Sequence, residues 1–231
     1  MRQGNHSNAK WALAVAVLVV AVSGGMVLGS NMGFKINMVL PAAAGSPPQG
    51  QNITSIPYLV PYADRQCLCE QLGLSNSASV QEFNAATGTL DFYLCGSGSC
   101  GAAPALQAGN ATWITDPLGS GSAIVVGAHN PAQVVRLECR TGNPPQGDNW
   151  KSVPYHSTSA SMQAICDEVG PVLSVSEFNG ATGTVVGPYF CDLNPAGDIN
   201  LTKGRAVSIL LDSSSAACTG AGFVDWVPNH F

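Results

Sequence analysis

The chain has 231 residues and a formal net charge of −5, with 10 % charged side chains against 45 % hydrophobic ones. That apolar share excludes a disordered chain, which lacks the surface whose burial offsets the entropy of ordering. No basic run occurs, which excludes the electrostatic footprint of a nucleic-acid binder.

The first thirty residues, Met1 to Ser30, carry an export pattern. Arg2 and Lys10 give a positive start, Trp11 to Val22 is unbroken and apolar, and Ala21-Val22-Ser23 is a small-residue cleavage site. Read as a signal peptide, the segment is removed. Read as an anchor, it is uncharged from Trp11 to Gly29, long enough to span a bilayer. Either way the remainder is expected outside the cytoplasm, extracellular or at the cell surface, and residues 11–29 are the one membrane contact.

Phe34 to Leu40 (FKINMVL) follows as a strand with Phe34, Ile36, Met38 and Leu40 on one face. Asn52 to Tyr58 reads as a second strand. Ala63 to Gly73 reads as a short helix closed by its glycine. Ser79 to Asn84 and Thr89 to Cys95 form a hairpin across Ala-Ala-Thr-Gly, with glycine where positive φ is needed. Ala111 to Thr115, Ala123 to Val126 and Gln133 to Cys139 are further strands.

This pattern then recurs with a period of about 96 residues, well above solenoid repeat lengths. Pro47-Pro48-Gln49-Gly50 returns as Pro144-Pro145-Gln146-Gly147, and Asn52-x-x-Ser55-x-Pro57-Tyr58 as Asn149-x-x-Ser152-x-Pro154-Tyr155. Cys69-x-x-x-Gly73 returns as Cys166-x-x-x-Gly170, and Glu82-Phe83-Asn84-x-Ala86-Thr87-Gly88-Thr89 as Glu177-Phe178-Asn179-x-Ala181-Thr182-Gly183-Thr184. Leu106-x-x-Gly109-x-Ala111 returns as Leu201-x-x-Gly204-x-Ala206. The expected architecture is mainly β (α+β with minor helix). It comprises two tandem duplicated modules, residues 31–132 and 133–231, each with one short helix and stabilised by disulfides.

Eight cysteines, an even number in an exported chain, point to disulfides. Cys69 and Cys95 recur as Cys166 and Cys191, so each copy is expected to carry that bridge. Cys67 with Cys100 and Cys139 with Cys218 would complete the set. Cys67 and Cys69 point to nearly opposite sides of a helix, so Cys67 is alternatively an inter-subunit thiol. No C-x-x-C or C-x-x-C-H occurs, which leaves no zinc knuckle, thioredoxin-type site or c-type haem.

Catalytic patterns are missing where the repeat should have doubled them. No G-x-S-x-G elbow exists. His129, His156 and His230 have no counterparts, and Glu82 and Glu177 read as solvent-facing strand residues in separate modules rather than a glycosidase pair. Asp192-x-Asn194-x-x-Gly197-Asp198 resembles a calcium loop faintly, but Ala196 and Lys203 stand where ligands belong. Neither a metal nor a cofactor is expected, and the chain does not read as an enzyme.

Asn52, Asn110 and Asn200 sit in N-x-T sequons and are glycosylation candidates. The repeated aromatics Tyr58/Tyr155, Phe83/Phe178 and Tyr93/Tyr189 read as core rather than a sugar-stacking face. The functional expectation is a self-associating subunit of a filament, sheath or surface layer, joined by donation of the strand Phe34 to Leu40 to a neighbour whose second module lacks a trailing strand. The alternative is an anchored or secreted recognition module for a glycan or an envelope complex.

Overall fold

The structure, a computed structural model, describes residues 34–40, 51–56, 64–118, 121–127, 133–139, 148–153, 157–180, 182–193, 197–202 and 204–229. The expected export segment, residues 1–30, lies outside them, and no helix among them is long and apolar enough to cross a membrane. In chain order they form β1 (Phe34–Leu40), β2 (Gln51–Ser55), α1 (Arg65–Leu72), β3 (Ser79–Asn84), β4 (Thr89–Leu94), β5 (Ala111–Thr115) and β6 (Gly121–Gly127). There follow β7 (Val135–Glu138), β8 (Asp148–Ser152), α2 (Met162–Val169), β9 (Val172–Asn179), β10 (Thr184–Phe190), β11 (Ala206–Leu211), α3 (Ala216–Ala221) and β12 (Phe223–Trp226). The fold is mainly β with minor helix.

Two antiparallel four-stranded sheets carry the architecture, ordered β2-β5-β3-β4 and β8-β11-β9-β10. The two orders are the same when each strand is replaced by its counterpart in the sequence repeat. Two ribbons, β1-β6 and β7-β12, complete the topology. Each hairpin turns on a glycine in the left-handed region: Gly88 (φ 71) donates its N–H to the Asn84 carbonyl at 2.7 Å, and Gly183 (φ 68) does the same to Asn179.

Both long helices start on a capping side chain, Asp64 or Ser161, which accepts from a backbone N–H in the first turn. Each helix covers one sheet face. Leu68, Leu72, Val80, Tyr93, Ile114, Val125 and Met38 form the first core, while Met162, Ile165, Val175, Tyr189, Ile209, Leu137 and Trp226 form the second. A third cluster, with Ile53, Phe83, Trp113, Phe178 and Ala206, draws on both sheets. Gly33–Phe231 is accordingly one compact unit.

The premise of strand donation requires correction. β1 pairs antiparallel with β6 of its own chain over seven residues, and Met38 is buried beneath it. The second half does not lack a trailing strand: β12 pairs with β7. Phe223–Trp226 is only four residues long, so it escapes a periodicity reading, and its partner lies far back in the chain.

Candidate functional site

The two sheets meet where their edge strands β2 and β8 approach, and the sequence repeat organises the seam. Thr54 bridges to Arg205, and Asn110 bridges to Lys151. Thr54 is the repeat counterpart of Lys151, and Asn110 that of Arg205, so the two bridges exchange under an approximate two-fold relation. Ser152 reinforces the seam, its N–H donating to the Gly109 carbonyl at 2.9 Å and its hydroxyl to the Asn110 carbonyl at 2.8 Å.

Two ion pairs, each with a buried glutamate, flank it. Glu82, 2 % exposed, takes Arg65 Nη2 at 2.9 Å and the Gln107 N–H at 3.0 Å. Glu177, 3 % exposed, takes Arg205 Nη1 at 2.6 Å and the Thr202 N–H at 2.6 Å. The glutamates and their backbone donors are repeat counterparts, but the arginines are not: Arg65 opens α1, where α2 has Met162, and Arg205 replaces Asn110. The expectation that Glu82 and Glu177 face solvent is therefore wrong. A carboxylate on a strand's helix-covered face persists only with a cation and hydrogen bonds beside it. Burial pushes the Glu82 carboxyl above its usual range against the opposing pull of the Gln107 N–H and Arg65.

Beside the seam lies a cleft of about 450 Å³, walled by Arg65, Glu82, Asp91, Asn110, Arg136, Glu138 and Lys151. Three cations face three carboxylates. Lys151 is 7 % exposed, and its Nζ donates to Asn110 Oδ1 at 2.8 Å. Burial pushes its ammonium down to about 8, against the stabilising charges of Glu138 and Glu82. A buried amine with a lowered pKa in a cleft is a recognised mark of a functional position. The sequence offered one signal for it, a lysine between Trp150 and Ser152 in a chain with very few charges.

The other predicted positions fall as follows. The bridges are Cys67–Cys100, Cys69–Cys95, Cys139–Cys218 and Cys166–Cys191, with no free cysteine, so Cys67 is not an inter-subunit thiol. Both helical cysteines of α1 reach the same loop, one at each end of its tip. Asp64 lies within ligand distance of Cys67 and Cys100, but those sulfurs are joined to each other and Asp64 is engaged by backbone N–H groups. Four disulfides fit an oxidising environment of the extracellular type.

Asn52 is not a surface acceptor. It is 5 % exposed, and a side chain added at Gly180 would overlap its amide at 2.0 Å. Asn110 is half-buried at the seam, and Asn200 is exposed. Phe83, Phe178, Tyr93 and Tyr189 are buried, while Tyr58 and Tyr155 lie outside the described residues. So do His129, His156, His230, Asn194 and Ala196. Asp198 of the calcium-like stretch accepts from the Gln163 N–H at the start of α2.

A second surface feature is the outer edge of the first sheet. The Cys95 N–H donates to the Ala78 carbonyl, which fixes the pairing phase of β3 and β4. Asp91 and Tyr93 therefore turn their backbone groups to β3, and Leu90 and Phe92 turn theirs outward. Leu90, Phe92 and Leu94 are 45, 61 and 42 % exposed on one face. The counterpart edge, β10, is interrupted by a register shift between Val186 and Tyr189, where Pro188 offers no N–H. No protein-family model, curated protein or solved structure matches the chain.

Proposed function

We propose that the chain is an exported, disulfide-stabilised structural subunit that pairs with a second copy through β4. The supporting observation is the outer edge of that strand, against which no described strand pairs. Set antiparallel to itself with Phe92 opposite Phe92, it brings Leu90 opposite Leu94 and Asp91 opposite Tyr93, with apolar residues meeting along one face. The outward N–H and C=O of Phe92 then bond reciprocally, and two four-stranded sheets become one. Edges this apolar normally carry a proline, a bulge or an added charge, as β10 does.

An isologous contact of this kind closes at two copies. An extended filament or layer would need another contact, for which the outer edge of β1 (Phe34–Leu40) is one candidate. The export segment and the repeat, which we take as a tandem duplication, fit such a subunit. Recognition of a glycan is the second reading, favoured by the charge-balanced cleft.

The test is light scattering across a concentration series for the processed protein and for Phe92→Lys. The wild type is expected to pass from monomer to dimer. The variant, changed at an exposed position, should remain monomeric with unaltered thermal stability. A wild type that stays monomeric throughout the series overturns pairing through β4.

A further inference from the structure

We propose that Lys151 and Asn110 are the reactants of an intramolecular amide bond that ties the two sheets together covalently. The idea is independent of the pairing through β4 and rests on the seam.

The amine already touches the carboxamide it would attack, Nζ donating to Asn110 Oδ1 at 2.8 Å. The backbone on both sides is held: Asn110 and Lys151 form a bridge, Ser152 N–H bonds the Gly109 carbonyl, and Ser152 Oγ bonds the Asn110 carbonyl. Orientation of that kind removes much of the entropic barrier of a bimolecular step. The amine is also prepared. Because burial holds its pKa at about 8, on the order of a tenth of it is neutral at pH 7, far more than for a surface lysine.

The remaining requirement is a proton carrier. Glu138 walls the same cleft, and its charge acts on the Lys151 ammonium. The buried carboxylate of Glu82 is engaged at both oxygens, by Arg65 and the Gln107 N–H. The step balances without any added reactant. The Nζ lone pair attacks Asn110 Cγ, and the Nζ–Cγ bond forms. Glu138 accepts a proton from Nζ and delivers it to Nδ2. The Cγ–Nδ2 bond breaks, and ammonia leaves. Nothing is oxidised or reduced, and the product is a secondary amide.

The repeat-related place holds Thr54 and Arg205, which supply neither a primary amine nor a carboxamide, so no second link forms there. It also removes Asn110 from glycosylation, since the same side-chain nitrogen is lost.

The test is peptide mapping by mass spectrometry of reduced, alkylated wild-type protein after incubation at mildly alkaline pH. Trypsin should fail to cut at Lys151. The peptide carrying Asn110 should be joined to the one carrying Lys151, with their combined mass one ammonia short. Lys151→Arg and Asn110→Ala should each give separate peptides of full mass, as should Glu138→Gln if that residue carries the proton. Separate full-mass peptides from the wild type overturn the bond and leave a hydrogen bond only. A linked product in Glu138→Gln overturns the role of Glu138.

Discussion

Asp64 shows how much one short side chain settles. It caps α1 through the Cys67 N–H at 2.8 Å, and its other oxygen takes the N–H groups of Gly101 at 2.6 Å and Ala103 at 3.3 Å. One carboxylate therefore fixes both the helix start and the loop that returns Cys100 to Cys67. Burial pushes its pKa up, but these backbone donors together outweigh it and hold the group below the usual carboxylate range. Asp64→Ala loses the cap and strands two further donors, so it should destabilise by about 3 kcal/mol near neutral pH. A folded pKa below the unfolded one means that the charge contributes fully above the unfolded carboxylate value and is lost as pH falls through the folded value. The gap between wild-type and Asp64→Ala urea midpoints should therefore narrow on acidification. A gap that does not change with pH would show that the charge is not the stabilising agent. The aspartate was legible in the sequence only as part of a helix start. Glu82 was misread because its arginine lies 17 residues earlier on another element, beyond the reach of a strand's two-residue period.

At the scale of elements, strands and hairpins were legible because their signals are local: alternation, a glycine at the turn and a repeat that states each one twice. The last helix and strand were not. Ala216–Ala221 consists of small residues without an apolar stripe, and Phe223–Trp226 is four residues long. Both exist through distant partners. Cys218 is bridged to Cys139, the Trp226 indole donates to Glu168 at 3.1 Å, and Arg136 lies 3.8 Å over the Phe223 ring. The Cys139–Cys218 bridge spans 79 positions, against 26 for Cys69–Cys95. Chain-entropy reasoning assigns them about 4.5 and about 3.5 kcal/mol. Replacing both cysteines of the longer bridge by alanine should accordingly lower the denaturant midpoint more than replacing both of the shorter. The reverse order would mean that native-state packing, not unfolded-chain entropy, governs them.

For the whole molecule, the repeat leads the eye to a boundary near residue 132, yet the third core is assembled from both sheets. Trp113 meets Trp150 edge-on at 5.1 Å across that boundary. A shared core of this kind couples the halves, so calorimetry should show one unfolding transition. Phe178→Ala should shift that single peak downward by several degrees without splitting it. Two resolved peaks in the wild type would show that the halves melt separately. The seam was not legible from the sequence, because a repeat reports what each half retains and not how the halves face each other. The four bridges have a further consequence under load. Pulled from its ends, the folded unit cannot release the contour length between residues 67 and 100 or between residues 139 and 218, which the sulfur links bypass. Residues 34–67, 100–139 and 218–229 are what remain to lengthen. An oxidised chain under tension behaves as a short tether with two inextensible knots, and reduction would turn the same chain into a long one.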